Sequence, residues 1–432
     1  MAASTQETIH WHKTAAPAPE CAALGEAIEA DVVIVGGGLT GTRCALGLAE
    51  AGVSVALLDA QDISFGASGR SGGQCNPIWR ATPDDLAQRL GGAVAERLVH
   101  ATLGCADALF ADIERYGIIC DHEQNGWVQA SHSKASTKSL MRLAEGWQAV
   151  GGKITLQDRA MTQRATGSQA YGFSLLHERG GFVQPLSLTR GFARAAIGFG
   201  ARLFQHSPAQ SIQPEGGKWR VSTPNGSVLA DKVVLATNAY TDNLWPKLKQ
   251  TFFPLVSISF ATAPLTDNLQ KSVLPGAVTL ADTRRAIYYS RYDRDRRLIF
   301  GCVGSTEDPA VLGGINRLKR GLRIVFPQLE DTPIETTWGG RIAVTPDMMP
   351  RLHEPAPGVV VALGFSGRGI AMTSVMARAV VDKLLGAADD TLPFPVSQVK
   401  PIPLHGAIRA AIPLAAPAMT FRDQIDSLID RS

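Results

Sequence analysis

At 432 residues the chain is too long for one ordinary hydrophobic core, which points to two domains or one large α/β unit. An apolar content of 45%, a charged content of 19% and a net charge of +3 with both signs interspersed describe a globular protein. They exclude a nucleic-acid footprint and leave a mild preference for an anionic substrate.

Six cysteines without C-x-x-C spacing argue against a zinc site or a disulfide framework and fit a reducing compartment. His100, His122 and His132 have no metal-like spacing, so no metal is expected. No apolar run reaches the ~18 residues of a spanning helix. Residues 1–30 lack the apolar core of a secretory signal, being interrupted by Pro17, Pro19 and Glu20, so a cytoplasmic protein is expected. This segment reads as an extended arm, with Trp11 anchoring it.

Residues 31–59 read as strand, glycine turn, helix and strand. Val32 to Val35 form a β-branched run suited to a strand buried on both faces. Gly36, Gly38 and Gly41 give G-x-G-x-x-G: a tight turn, a close approach to a pyrophosphate, and close packing of helix on strand. Leu39 and Thr40 open the helix, whose apolar stripe includes Cys44 with Leu48 and Ala45 with Ala49; Gly52 is its C-cap. Asp59, followed by Ala60, ends the second strand where a carboxylate accepts from ribose hydroxyls. A dinucleotide is expected; this motif by itself does not separate FAD from NAD.

Residues 63–77 are crowded with small residues. Ser68, Gly69, Arg70, Ser71, Gly72, Gly73 and Gln74 are expected to lie beneath a second part of the cofactor, with Arg70 as a charged contact and Cys75 a packed thiol. Residues 83–150 read mostly as helices of an inserted lobe: one from Pro83, a long one over 93–116, and one to Ala149 with Ser136 as N-cap. A strand is expected over 126–130.

Residues 180–196 read as a strand edge, a proline-started turn and a helix. Short strands follow over 201–206 and 210–213, then a hairpin of 219–222 and 227–230 around Asn225-Gly226. Residues 231–240 form a buried strand ending at Thr237 and Asn238, where ligand contacts are expected. Antiparallel strands are read over 256–261, 286–292 and 298–300. Alternation sets Tyr288, Ser290 and Tyr292 on one face and Tyr289 and Arg291 on the other, one of them lining a ligand cavity. A helix over 317–326 precedes a β-like stretch, 335–350, that contains Gly340 and Arg341.

Residues 358–381 repeat strand, glycine turn and helix. Gly364, Gly367 and Gly369 frame Arg368, and Ile370 opens the helix, which aims a positive helix end at a ligand. Two glycine turns far apart suit one ligand gripped twice. The second would face the charge that a reduced flavin carries around N1 and the C2 carbonyl, which favours FAD over NAD. The tail, 404–432, ends in an amphipathic helix over 422–429 expected to dock on the body or on a partner, with an oligomer as one outcome.

Taken in order, VVIVGGGLTG, SGRSGGQ, GFVQPLSLTRGFARAA, VVLATNAY, WGGRIAVTPDMMP and GFSGRGIAMT resemble the D-amino-acid oxidase family of FAD-dependent oxidoreductases over nearly the whole chain, and most closely its gamma-glutamylputrescine oxidase branch. The resemblance implies a doubly wound, Rossmann-like α/β domain assembled from 1–82, 178–250 and 336–432, and an α+β substrate domain with an antiparallel sheet from 83–177 and 251–335. It implies oxidation of a C–N bond, with hydride passing from carbon to flavin N5, imine hydrolysis and reoxidation by oxygen or another acceptor. No general base is assigned. Sarcosine-oxidase-like members place a lysine where this chain has Ala371, and RIAVTPDMMP lacks the cysteine that carries covalent flavin in some of them. Noncovalent FAD is therefore expected. The substrate is read as an amine, with Tyr288, Tyr289, Arg291, Arg341 and Arg368 as candidate contacts and Arg70 as a further candidate for an acid group. Secondary or cyclic amino acids, a dehydrogenase with a quinone or protein acceptor, and a flavin-binding regulatory module are the alternatives.

Overall fold

In the computed structural model of the protein, residues 9–304, 314–412 and 422–423 are described. The apolar run at Val32 ends a longer strand, Ala27–Val35, which pairs in parallel with Ser227–Leu235 from Ala27 opposite Ser227 to Val35 opposite Leu235. Only its last four residues are buried without interruption, which is why the sequence shows so late a start. Its partner was expected as two pieces. It is one strand because its first half pairs on the other side with the hairpin strand Lys218–Ser222 and its second half with Val359–Leu363.

These strands belong to a nine-stranded sheet. Its central run is Val396–Ser397, Arg351–Ala356, Val359–Leu363, Ser227–Leu235, Ala27–Val35, Val55–Leu58 and Arg202–Phe204. The four inner members are mutually parallel, so their carboxyl ends at Val35, Leu58, Leu235 and Leu363 share one edge. That edge is where ligands bind in such sheets. The helix Leu39–Glu50 packs between Pro185–Gly198 and Gly369–Leu384, so it is buried almost all round rather than along one stripe. Even Arg43 is inside, ion-paired with Asp112 and lying over the Phe192 ring at 4.5 Å.

A second, eight-stranded sheet runs Ile334–Val344, Phe253–Pro264, Arg297–Gly304, Tyr289–Tyr292, Thr279–Asp282, Trp127–Ser131, Phe173–His177 and Ile154–Gln157. It is antiparallel except for the parallel pair Thr279–Asp282 with Trp127–Ser131. The strand Ile334–Val344 straddles residue 336, where the sequence suggested a domain boundary, and bonds into this sheet along Phe253–Pro264.

The lobe differs in detail from the sequence reading. The long helix of 93–116 is two helices, Gly92–Leu103 and Cys105–Arg115, separated at Gly104. The next helix, Lys134–Ala149, starts earlier than expected because Ser133 makes a reciprocal capping box with Ser136. The strand and helix Ile154–Gln157 and Arg159–Thr166 had no clear signal. The amphipathic helix expected over 422–429, and any oligomer contact through it, lies outside the described residues apart from Arg422 and Asp423. No helix among the described residues is long and apolar enough to cross a membrane.

Candidate functional site

The first glycine turn leaves the carboxyl end of Ala27–Val35. Gly36 has φ +111°, and a Cβ there would lie 2.8 Å from the Ala236 carbonyl oxygen, so only glycine lets the neighbouring strand end come this close. A Cβ on Gly41 would lie 1.9 Å from the Gly36 carbonyl oxygen, which accounts for the third glycine through helix-on-turn packing. Gly38 caps the helix Leu39–Glu50, and its Cβ would meet only the Ser68 hydroxyl, at 3.0 Å. Ser68 Oγ accepts from Leu39 N at 2.8 Å, so the loop of 63–77 reaches the helix N-terminus. Thr40 is buried in the helix's first turn.

Asp59 accepts from Gly37 N at 2.7 Å through one oxygen and from Gln61 N at 2.8 Å through the other, across the Ala60 turn. Burial outweighs these bonds and pushes its pKa up to about 6. Gly37 was missed in the sequence: its Cβ would lie 2.5 Å from Ile63 Cδ1 and 2.9 Å from Asp59 Oδ2. The run of three glycines was the available signal.

The small residues of the loop lie against protein. A Cβ on Gly72 would lie 2.7 Å from the Tyr289 ring; on Gly73, at φ +73°, 2.2 Å from the Val183 carbonyl oxygen. A Cβ on Gly69 would meet the Ser64 carbonyl oxygen at 2.1 Å. Gln74 Nε2 donates to the carbonyls of Leu280 and Ser290 at 2.9 and 3.0 Å. Ser71 Oγ accepts from Gly73 N, and the Ser71 carbonyl accepts from the Trp11 indole at 2.9 Å. The loop is therefore the seam between the two sheets.

Of the two faces of Tyr289–Tyr292, the one bearing Tyr289 and Arg291 meets this loop. Tyr289 Oη bonds Ser257 and Ser259 hydroxyls, each at 2.8 Å. Tyr288 is a correction. It turns the other way into the core, stacking on Phe300 with ring centroids 5.6 Å apart. Arg291 is also a correction. It donates to the carbonyls of Gly72, Val183 and Tyr292 at 2.6, 2.8 and 2.7 Å, between the Trp11 and Phe182 rings. Its donors are committed to the fold.

Arg70 donates to the carbonyls of Phe65 and Gly339 and lies over the Phe65 ring at 4.8 Å, while a Cβ on Gly340 would meet its side chain. Arg341 is exposed, with its guanidinium 5.5 Å from the Tyr240 ring centroid. Thr237 bonds Thr241, and Asn238 Oδ1 accepts from Gly364 N at 2.9 Å, tying two strand ends to each other.

The second turn ends at Gly367 and Arg368, which caps the helix Gly369–Leu384, and Ile370, the second residue of that helix, is buried. Arg368 is 5% exposed, and its Nε and Nη1 have no hydrogen-bond partner. It lies over the Trp127 ring at 4.9 Å. Trp127, 1% exposed, has an equally unpartnered Nε1. Nothing in the sequence marked Trp127, because only the tertiary fold sets its strand against the glycine turn.

A Gly38 backbone facing a helix N-terminus, an acid at the end of the next strand and a second helix cap on the same sheet edge together form a cradle that fits FAD. Asp59 would take the ribose, Gly38 and Ser68 the pyrophosphate, and Gly367 to Ile370 the distant ring.

Comparisons with known proteins agree. A family model, DAO, FAD dependent oxidoreductase, matches residues 31–383. The chain is 31% identical over 368 residues to "Probable oxidoreductase OrdL" of Haemophilus influenzae, covering 83% of each chain. It is 31% identical over 410 residues to "Gamma-glutamylputrescine oxidoreductase" of Escherichia coli, covering 94% of this chain and 95% of that one. The solved glycine oxidase of Geobacillus kaustophilus superimposes with a TM-score of 0.71 at 21% identity, covering 85% of this chain and 98% of that one, which shows the shared fold.

Proposed function

From the premise that this chain belongs to the DAO family of FAD dependent oxidoreductases and uses FAD noncovalently, we propose that it oxidises an amine of the gamma-glutamylated polyamine type. The observation that carries this reading is the match to gamma-glutamylputrescine oxidoreductase along 94% of the chain. Ala371 supports it: fully buried in the helix Gly369–Leu384, it offers no charge to a small amino acid held close to the flavin.

When bound, FAD supplies the two-electron acceptor for a hydride leaving the carbon next to nitrogen. The imine so formed takes up water, giving an aldehyde and ammonia, and oxygen takes the electrons as hydrogen peroxide. The protein's part is orientation and exclusion of water. Tyr289 forms a wall of the seam, its hydroxyl held by two serines. Burial raises its pKa above the ordinary value, so it stays a neutral phenol that positions rather than accepts a proton. A substrate entering as the free amine needs no base from the chain. The pairing of Ile334–Val344 with Phe253–Pro264 supports counting that strand with the substrate unit.

The test is anaerobic bleaching of the flavin by a panel of gamma-glutamylated polyamines, free polyamines and imino acids, followed by peroxide release in air. Bleaching by the glutamylated amines is the expected result. Bleaching by imino acids alone overturns the reading.

A further inference from the structure

One face of the strand Trp127–Ser131 carries polar groups that the fold leaves unused. Trp127 is 1% exposed and Gln129 6%, and neither Trp127 Nε1 nor Gln129 Oε1 has a hydrogen-bond partner among the described residues. Residues two apart in a strand point to the same side. Pairing in the sheet sets His177 directly opposite Trp127, and so on that side too. His177 is 2% exposed, and its Nδ1 is likewise without a partner among the described residues. Three such groups at neighbouring positions are costly for the protein alone, because a buried polar group without a bond forfeits its hydration.

This face is the one that meets the seam. Gln129 pairs with Ala281 and Ala281 with Tyr289, so the three stand in one row. The other face, with Val128 and Ala130, is closed into the apolar core that holds Tyr288. Trp127 stands beside the second glycine turn, its ring centroid 4.9 Å from the Arg368 guanidinium. The unused groups differ in kind. The indole N–H only donates and the Gln129 oxygen only accepts. Burial first lowers the His177 pKa to about 4, so its imidazole is neutral at neutral pH and suits an uncharged ligand group. A trans amide has the matching pattern. Its C=O and N–H point in opposite directions, and two strand positions on one side are about 6.6 Å apart, room for one amide between the donor and the acceptor.

We propose that Trp127 and Gln129 form an amide-binding subsite, the indole N–H donating to the carbonyl of a substrate amide and Gln129 Oε1 accepting from its N–H, with His177 beside them. This rests on the amine-oxidase reading above and names the residues that would tell a gamma-glutamylated polyamine from a free one. A protonated free polyamine brings donors only, so it leaves the Trp127 N–H buried and unpaired. A site built around a polar group rejects the analogue that lacks it.

The experiment uses the FAD-loaded protein with N-butylacetamide as the probe and butyl acetate as the ester of the same shape, which keeps the carbonyl and lacks the N–H. Neither holds an oxidisable amine, so binding is read without turnover, from tryptophan fluorescence and the flavin absorption band. The wild type is expected to favour the amide. Gln129→Leu should cut that preference by about tenfold, the worth of one hydrogen bond at a buried acceptor. Trp127→Phe should weaken both probes by a similar factor, since both keep the carbonyl. If Gln129→Leu does not retain flavin, Gln129→Met, close in shape, carries the comparison. The proposal is overturned if the wild type binds the ester as well as the amide, if the Gln129 variants keep the wild-type preference, or if Trp127→Phe binds both probes as tightly as the wild type. If no amine bleaches the flavin while the amide preference and its loss in the variants hold, the amine-oxidase reading falls and the subsite stands.

Discussion

Asp59 shows how one side chain serves both the fold and the proposed cofactor site. Its two oxygens fix the glycine turn through Gly37 N and the following turn through Gln61 N, and each retains capacity to accept from a ribose hydroxyl. Its pKa is raised to about 6, by burial first and against the pull of these bonds. Because the folded value lies above the unfolded one, the protonated form is favoured by folding. Asp59's contribution to the stability of the flavin-free protein therefore grows as pH falls through about 6 and is lost as pH rises through it. Ribose binding has the opposite sign, since it uses the carboxylate as acceptor. FAD affinity, read by flavin fluorescence on dilution, should fall as pH is lowered from 7 through about 6 in the wild type. Asp59→Asn should remove that pH dependence at a lower overall affinity. An affinity that stays flat in the wild type down to pH 5 would rule Asp59 out as the titrating contact.

At the level of elements, the N-terminal arm does more than cover a surface. Its single turn Trp11–Thr14 lies where the loop of 63–77 meets both sheets. Trp11 is fully buried, donates to Ser71, packs on Trp338 and supports Arg291, while its own carbonyl accepts from Gln184. His10 is bonded to Asp293 at 2.8 Å and stacks on Trp338. The arm thus joins the glycine-rich loop of 63–77, the proline-started helix Pro185–Gly198 and the antiparallel sheet. Trp11→Ala should cost about 3–5 kcal/mol, the range for emptying a buried tryptophan site. In a urea titration the flavin should be released together with the loss of structure. Release well before unfolding would show that the arm holds only the loop. The sequence marked Trp11 as an anchor but could not show what it anchors, because its partners lie 60 to 327 positions away.

Across the whole molecule, Tyr289 is the joint between the sheets. Its ring lies between two glycines, with a Cβ at Gly72 reaching 2.7 Å and one at Gly301 reaching 2.1 Å. Gly72→Ala should destabilise by about 1–3 kcal/mol through overpacking. Combining it with Tyr289→Ala should cost less than the sum of the two single changes, since the clash disappears with the ring. Strict additivity in denaturant melts would show that Gly72 and Tyr289 act separately. The same joint explains the glycine-rich loop. Close packing was legible in the sequence, but not that Gly72 and Gly73 pack against Tyr289 and Arg291 of the other sheet.

Local order was written in the chain. The βαβ unit, the second glycine turn and the Asn225-Gly226 hairpin follow from residues within a few positions of each other, where turn geometry and side-chain period are decided. So does the split of Tyr288 from Tyr289 across a strand, since alternation needs no partner. What the chain could not state is which long-range surface each face meets. Tyr288 enters a core and Tyr289 a seam; Arg291 is consumed by carbonyls from two distant segments, and Arg368 by none. Whether an arginine is satisfied depends on contacts across more than a hundred positions. Only the tertiary structure separates a guanidinium that holds the fold together from one left for a ligand.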